Sequence, residues 1–210
     1  MNASSTVELL LHVSRRMVES KDRLTQADKM GDADHGIGMA RGFHAVEQSL
    51  TRNREEGRVV DLQQLFVSVG STLLASIGGA AGPIFGSFFR GFSGGFEGQS
   101  TLNSAALAQG LNKGREAVMK IGKALPGDKT MLDALDPAAR RALAVAREPL
   151  DSALAAVAAA AGDGMAQTEN MVARVGKAKT LGERTLGHPD PGAVSMFLIL
   201  QFLAEYVAQL

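Results

Sequence analysis

The sequence contains no cysteine and no tryptophan, and only one tyrosine. The first absence excludes disulfides and every thiolate metal site, and it fits a reducing compartment. The second, with aromatic residues at 5% of the chain, leaves no platform on which single-stranded bases would stack. Charge of one sign is missing too. Twenty-two basic residues face 22 acidic ones, so there is no global positive field to draw in a nucleic acid. No apolar run approaches the roughly 20 residues of a membrane helix. Glu8, His12, Arg15 and Arg16 interrupt the N-terminal segment where a secretory leader would be continuously apolar. A cytoplasmic protein with neither nucleic-acid nor membrane partners is expected.

What is present is apolar content of 45%, enough at 210 residues for one domain spanning 1–210 with a substantial core. Strand alternation is nearly missing, while helical spacing recurs. Val7, Leu10, Leu11, Ser14 and Val18 lie at offsets of three and four and predict a first helix. A helix restarts over 36–50, and the charged stretch 51–60 reads as a solvated connection. Leu62, Leu65, Phe66, Val69, Leu73 and Ile77 predict a long buried face up to Gly78, followed by a shorter helix near 84–92. Residues 103–121 predict a helix capped by Ser104 and stopped by Gly122, and Pro137 suits the first turn of another. Further helices are expected near 150–161, 165–181 and 192–208, with the alanine run 153–161 reflecting close helix packing. The expected class is all-α, with roughly eight helices packed antiparallel where loops are short.

The chemistry lies between those helices. Gly31-Asp32-Ala33-Asp34-His35-Gly36-Ile37-Gly38 sets two carboxylates and an imidazole among small residues, with Asp28 just upstream. Three carboxylates on a tight bend suit a hard cation such as Mg²⁺, especially one that shares its shell with phosphate oxygens. Without a cation they repel and raise one another's pKa. The plainer alternative is that Asp32 or Asp34 caps the following helix. His35 can donate to a phosphate or hold a carboxylate. A second loop, Ala75 to Pro83, carries Ser76, Gly78, Gly79 and Gly82, whose small side chains let backbone N–H groups approach an anion at a helix N-terminus. It lacks the Lys-Ser/Thr ending of a Walker loop, and a tight interhelical turn is its other reading.

Two further stretches complete the set. Pro126-Gly127-Asp128-Lys129-Thr130-Met131 supplies a turn, a charge pair and a hydroxyl ahead of a helix. Gly182 to Gly192 is a polar loop in which Arg184 can neutralise a transferring phosphoryl group. Asp190, held between two prolines, can cap a helix or accept from a base or ribose. A surface salt bridge and plain capping are the alternatives for these two residues.

The four strings, in this order and at these separations, resemble the DhaL-type nucleotide-binding subunits of dihydroxyacetone kinases over about residues 7–208. The resemblance implies a barrel-like bundle of eight antiparallel helices with the nucleotide, ADP or ATP, in loops at one rim. It implies two Mg²⁺ ions held by three aspartates, here Asp28, Asp32 and Asp34. Asp28 stands one residue nearer the motif than the family's aspartate does, and Ala75 and Ala81 replace two of the family's serines. Nucleotide contacts are implied for His35, Ser76, Gly78, Gly79, Gly82, Gly127, Thr130, Met131, Arg184 and Asp190, with catalytic roles for Arg184 and His35. The expected activity is a phosphotransferase subunit working with a dihydroxyacetone-binding subunit and a phosphocarrier of the sugar phosphotransferase system. A homodimer is left open. Two other readings stand beside it: an ATP-dependent subunit for a related ketose or tetrose, and a non-catalytic nucleotide- or lipid-binding module.

Overall fold

Helix starts follow from side chains placed just ahead of them. Asn2 accepts from Ser5 N, Asp61 from Gln64 N, Asn103 from Ala106 N and Asp190 from Ala193 N. Each satisfies a donor that the first helical turn leaves free. The computed structural model describes residues 1–58 and 61–210. Among them are nine α-helices and no strand: α1 (Ala3–Glu19), α2 (Lys21–Ala27), α3 (His35–Glu55), α4 (Leu62–Ser76), α5 (Ala81–Phe92), α6 (Ser104–Gly122), α7 (Leu132–Ala144), α8 (Leu150–Gln167) and α9 (Pro191–Val207). Short 3₁₀ segments cover Ser93–Phe96, Thr168–Asn170 and Lys177–Thr185. None of the described helices is long and apolar enough to cross a membrane.

The all-α class holds, and several details differ from expectation. Asn103 caps α6 in place of Ser104, which is the first helical residue and donates its hydroxyl to the Glu148 carbonyl at 2.7 Å. Helix α7 starts five residues before Pro137, so the proline is internal. It has no N–H to offer the Asp133 carbonyl, and that carbonyl faces Gly164 of α8, where a Cβ would stand 2.1 Å away. The expected helix over 165–181 does not form. Helix α8 ends at Gln167, the Thr168 hydroxyl donates to the Met165 carbonyl at 2.6 Å, and Gly176 at φ 69 redirects the chain. A short helix, α2, enters where none was expected. Ser20 divides it from α1, its hydroxyl donating to the Arg16 carbonyl at 2.8 Å. The expected connection at 51–60 is helical to Glu55 and then turns at Gly57; its last two positions lie outside the described residues.

Packing follows the apolar stripes. Helix α1 packs on α3, each later helix packs on the next, and α9 returns to α1. Phenylalanines fill the interior, with the Phe66 ring 4.8 Å from both Phe92 and Phe96. Burying each such side chain is worth about 1.5–3 kcal/mol. Between Leu10, Phe88, Leu111 and Leu200 a wholly apolar cavity of about 20 Å³ remains, room for about one water. The alanine run behaves as expected, since Ala153, Ala158 and Ala161 are buried against neighbouring helices.

Candidate functional site

Helix α2 stops at Ala27, and the turn Asp28–Asp34 runs through Ala33 at φ 56 before α3 begins. This turn brings carboxylate oxygens of Asp28, Asp32 and Asp34 within 4.8 Å of one another. The Asp28 carboxylate packs over Gly31, where a Cβ would meet Asp28 Oδ1 at 2.4 Å. His35 N–H donates to Asp28 Oδ2 at 3.2 Å. Asp34 occupies the cap position of α3, yet its side chain makes no capping bond, so capping does not account for it. Burial raises the Asp28 pKa against the pull of the His35 N–H, and the charges of Asp32 and Asp34 push it further up. Lys177 Nζ pairs with Asp32 and lowers that carboxyl. An all-oxygen donor set with more negative charge than its neighbours neutralise fits Mg²⁺.

The glycine loop is docked directly on α3. A Cβ at Gly38 would stand 3.0 Å from the Ile77 carbonyl, and Gly42 admits the Ile77 side chain. Arg41 reaches back, its Nε donating to the Ser76 carbonyl at 2.7 Å and its NH2 to that of Ile77. Gly78 and Gly79 then take φ 79 and φ 54, and a Cβ at Gly79 would meet nothing. The loop thus reaches the free N–H groups of the first turn of α5, which favour an anion, without a side chain at Gly79 to cover them. Helix α5 starts there without a side-chain cap. Gly82 faces the other way, buried against the Leu74 carbonyl, so it serves the contact between α4 and α5.

His35 also joins the turn to α9. Its Nε2 lies 2.7 Å from Ser195 Oγ, and burial lowers its pKa to about 4, with the Pro191 carbonyl acting the other way. The imidazole is therefore neutral near pH 7. At the start of α9, Asp190 Oδ2 accepts from Ala193 N at 2.7 Å, while Asp190 N–H donates to Thr168 Oγ1 at 2.9 Å. Burial pushes this carboxyl up to about 7, despite the Ala193 N–H and Lys129. A Cβ at Gly192 would meet Met131 Cβ at 3.3 Å, so the 126–131 loop adjoins α9.

A sequence profile of the DAK2 domain matches residues 29–205, from just after Asp28 into α9. The chain belongs to the DAK2-domain family. It is 39% identical over 184 residues, 86% of either chain, to the ADP-binding subunit DhaL of the PEP-dependent dihydroxyacetone kinase of Escherichia coli (strain K12). It is 32% identical over 209 residues to the ADP-binding subunit DhaL of the PTS-dependent dihydroxyacetone kinase of Lactococcus lactis subsp. lactis (strain IL1403), covering 99% of this chain and 100% of that one. Among solved structures it resembles the dihydroxyacetone kinase from C. freundii in complex with AMP-PNP and Mg²⁺, with a TM-score of 0.73 and 26% identity. That match covers 98% of this chain and 34% of the kinase, so the chain spans about a third of it.

Within this DAK2 domain several residues not singled out from sequence hold the loops together. Lys129, buried and at φ 61, donates to the carbonyls of Met171 at 3.0 Å, Thr185 at 2.5 Å and His188 at 2.7 Å. Burial lowers its pKa, and the carboxylates of Asp190 and Glu169 raise it. Asp133 accepts from Gly127 N at 2.5 Å and Thr130 N at 2.7 Å, and the Thr130 hydroxyl accepts from Leu132 N at 3.1 Å. Gly127 and Thr130 thus shape the loop with their amides, and Met131 is buried behind them. Arg184 is exposed, with a single 3.5 Å contact to the Leu181 carbonyl and no ion pair among the described residues. The surface salt bridge considered for it is not there. Lys129 was read as half of a charge pair with Asp128, yet its amine serves three carbonyls while Asp128 Oδ2 accepts from Leu125 N at 2.8 Å; Ser195 and Lys177 carried no signal, since their partners are 160 and 145 residues away.

Proposed function

We propose that this chain is the nucleotide-carrying subunit of a multisubunit dihydroxyacetone kinase. It receives a phosphoryl group on ADP from a phosphocarrier of the sugar phosphotransferase system and passes it to dihydroxyacetone held on a partner subunit. The observation that carries this reading is the cluster of Asp28, Asp32 and Asp34, joined through α3 to the open glycine loop at the start of α5. The two DhaL relatives, which this chain matches along most of their length, are ADP-binding subunits of such kinases, and that supports the same activity. The ring of neighbouring helices is read as a barrel with the nucleotide loops at one rim.

Mg²⁺, two ions in this reading, would supply positive charge that offsets the nucleotide's phosphates. Asp28, Asp32 and Asp34 hold the metal. The Ser76 hydroxyl and the N–H groups after Gly78 and Gly79 bind phosphate oxygens, aided by the dipole of α5. Neutral His35, fixed by Ser195, presents its ring to the phosphates without adding charge. The 126–131 loop, including Gly127, Thr130 and Met131, and Asp190 form the wall for base and ribose. Arg184, exposed and with no ion pair among the described residues, stabilises the phosphoryl group in transit with its planar fork. A ketose or tetrose kinase subunit would use the same site with exchangeable ATP. The lipid-binding alternative finds no support in an apolar cavity of about 20 Å³.

Calorimetry with Mg·ADP, paired with a reconstituted transfer assay, tests the assignment. Asp34→Ala is expected to abolish Mg-dependent ADP binding with the helical fold intact, because alanine offers no anionic oxygen. Arg184→Ala should leave ADP affinity within a few-fold and slow transfer by at least ~100-fold, with Arg184→Lys recovering part of the rate. Unchanged Mg·ADP affinity in Asp34→Ala would overturn the metal assignment.

A further inference from the structure

The segment between α8 and α9 that carries Arg184 has little of its own to hold it. No residue from Arg174 to Arg184 is buried, and Gly176 at φ 69 and Gly182 at φ 55 let the backbone turn within it. The Arg184 side chain makes one contact, at 3.5 Å to the Leu181 carbonyl. Its guanidinium therefore stands where the base of the segment puts it. One side chain gathers that base. Lys129 Nζ donates to the Met171 carbonyl where the chain leaves α8, and to the Thr185 and His188 carbonyls where it returns to α9, at 3.0, 2.5 and 2.7 Å.

Lysine is an unfavourable residue here on two counts. It is 6% exposed, and its hydrogen-bond partners are carbonyls, whereas buried lysines are normally paired with an anion. Its φ of 61 lies in the left-handed region that residues with a Cβ avoid. A position needed for its turn alone suits glycine or asparagine better. The side chain is what the position requires, and all three donors of its ammonium are used. Neutral bonds close the same base: Ala173 N donates to Thr185 Oγ1 at 3.1 Å and Gly187 N to the Glu169 carbonyl at 2.8 Å. Three carbonyl oxygens around one positive charge also make up the kind of site that holds a monovalent cation such as potassium or free ammonium. In this chain the cation is tethered to the 126–131 loop.

We propose that Lys129 is a positioning residue of phosphoryl transfer, a tethered monovalent cation that fixes the base of the 171–188 segment and so aims Arg184. The inference rests on the phosphotransfer reading of Arg184. It makes two demands that a lysine kept for stability alone does not. The loss caused by removing Lys129 must run through Arg184, and a free cation of similar size must stand in for the amine.

Hydrogen exchange on the full chain and the reconstituted transfer assay read both demands. In Lys129→Met, which fills the space without charge, the amides of 172–184 are expected to exchange at least ~10-fold faster than in the parent, while those of α1 keep their rates. Transfer should slow by ~30-fold or more in the parent background, and by less than ~threefold in an Arg184→Ala background. Lys129→Gly takes φ 61 without strain and leaves the three carbonyls open. Ammonium chloride should raise its transfer rate at least ~fivefold, and tetramethylammonium chloride at the same ionic strength should not. Lys129→Met should respond to neither salt. Where Lys129→Met does not fold, Lys129→Gly carries the test, its exchange and its rate being read with and without ammonium. Unchanged exchange in 172–184, equal slowing in both Arg184 backgrounds, or no recovery specific to ammonium would each overturn the proposal. Transfer at the parent's rate in Arg184→Ala would instead condemn the reading of Arg184, and this role of Lys129 with it. That failure is told apart by the exchange result, which does not depend on Arg184.

Discussion

Asp190 meets two demands that conflict at neutral pH. Its carboxylate caps α9 through Ala193 N, which favours the charged form, yet it is enclosed enough for burial to lift its pKa to about 7 from 3.8. Because the folded value lies above the unfolded one, the native state holds the proton more tightly. The associated stability is full below about pH 4 and is lost as pH rises through about 7. Asp190→Asn keeps an amide oxygen for the cap and cannot ionise. In urea melts without nucleotide, parent and variant should agree near pH 4 and diverge in the variant's favour by on the order of 2 kcal/mol near pH 8. A constant offset across that range would mean that the carboxyl is not perturbed. His35 shows how far one residue can be read from its neighbours. Its place beside Asp34 was legible, whereas its neutrality depends on burial and on Ser195, 160 residues away.

At the scale of elements, the aspartate turn owes its shape to the two helices it joins. Gly36, in the first turn of α3, presses on α2 so closely that a Cβ would stand 2.2 Å from the Lys21 carbonyl and 2.5 Å from Thr25 N. Gly36→Ala must therefore drive α2 and α3 apart and open the turn between them. The expected outcome is a loss of about 1–3 kcal/mol in stability together with loss of Mg-dependent ADP binding, although no ligand residue is replaced. Melts and calorimetry below the melting range check both. Retained affinity would show that the turn is held by something other than this contact. Helix α2 was invisible in the sequence because its seven residues include one buried apolar side chain, Leu24, and a single apolar residue makes no stripe. Periodicity found the longer helices because each repeats its apolar face over several turns. It misplaced the chain after Gln167, where the Thr168 hydroxyl, donating to the Met165 carbonyl and accepting from Asp190 N–H, and a left-handed glycine redirect a segment of helical composition.

For the whole molecule, equal numbers of acidic and basic residues leave no net charge to steer association, so the partner subunits proposed above would find this chain through local contacts. The phosphate source can be read from what the intact protein retains. Native mass spectrometry after gel filtration is expected to show ADP and two Mg²⁺ travelling with the chain, as a subunit recharged in place by a phosphocarrier requires. Recovery of ligand-free protein that takes up ATP reversibly would favour the ketose or tetrose kinase reading.

The sequence by itself determined the all-α class, the principal helices and the residue types of the site, because helical periodicity and a motif such as Asp28 to His35 act over a few neighbouring residues. Tertiary structure decided how those parts are used. It put three loop carbonyls around the Lys129 ammonium, turned the Gly127 and Thr130 amides toward Asp133, left Arg184 without an ion pair among the described residues and brought Lys177 to Asp32. Most of these contacts join residues more than 40 positions apart. Such pairs form only after helix packing has excluded water from the Lys129 pocket and fixed the loop ends, and no local pattern in the chain encodes that.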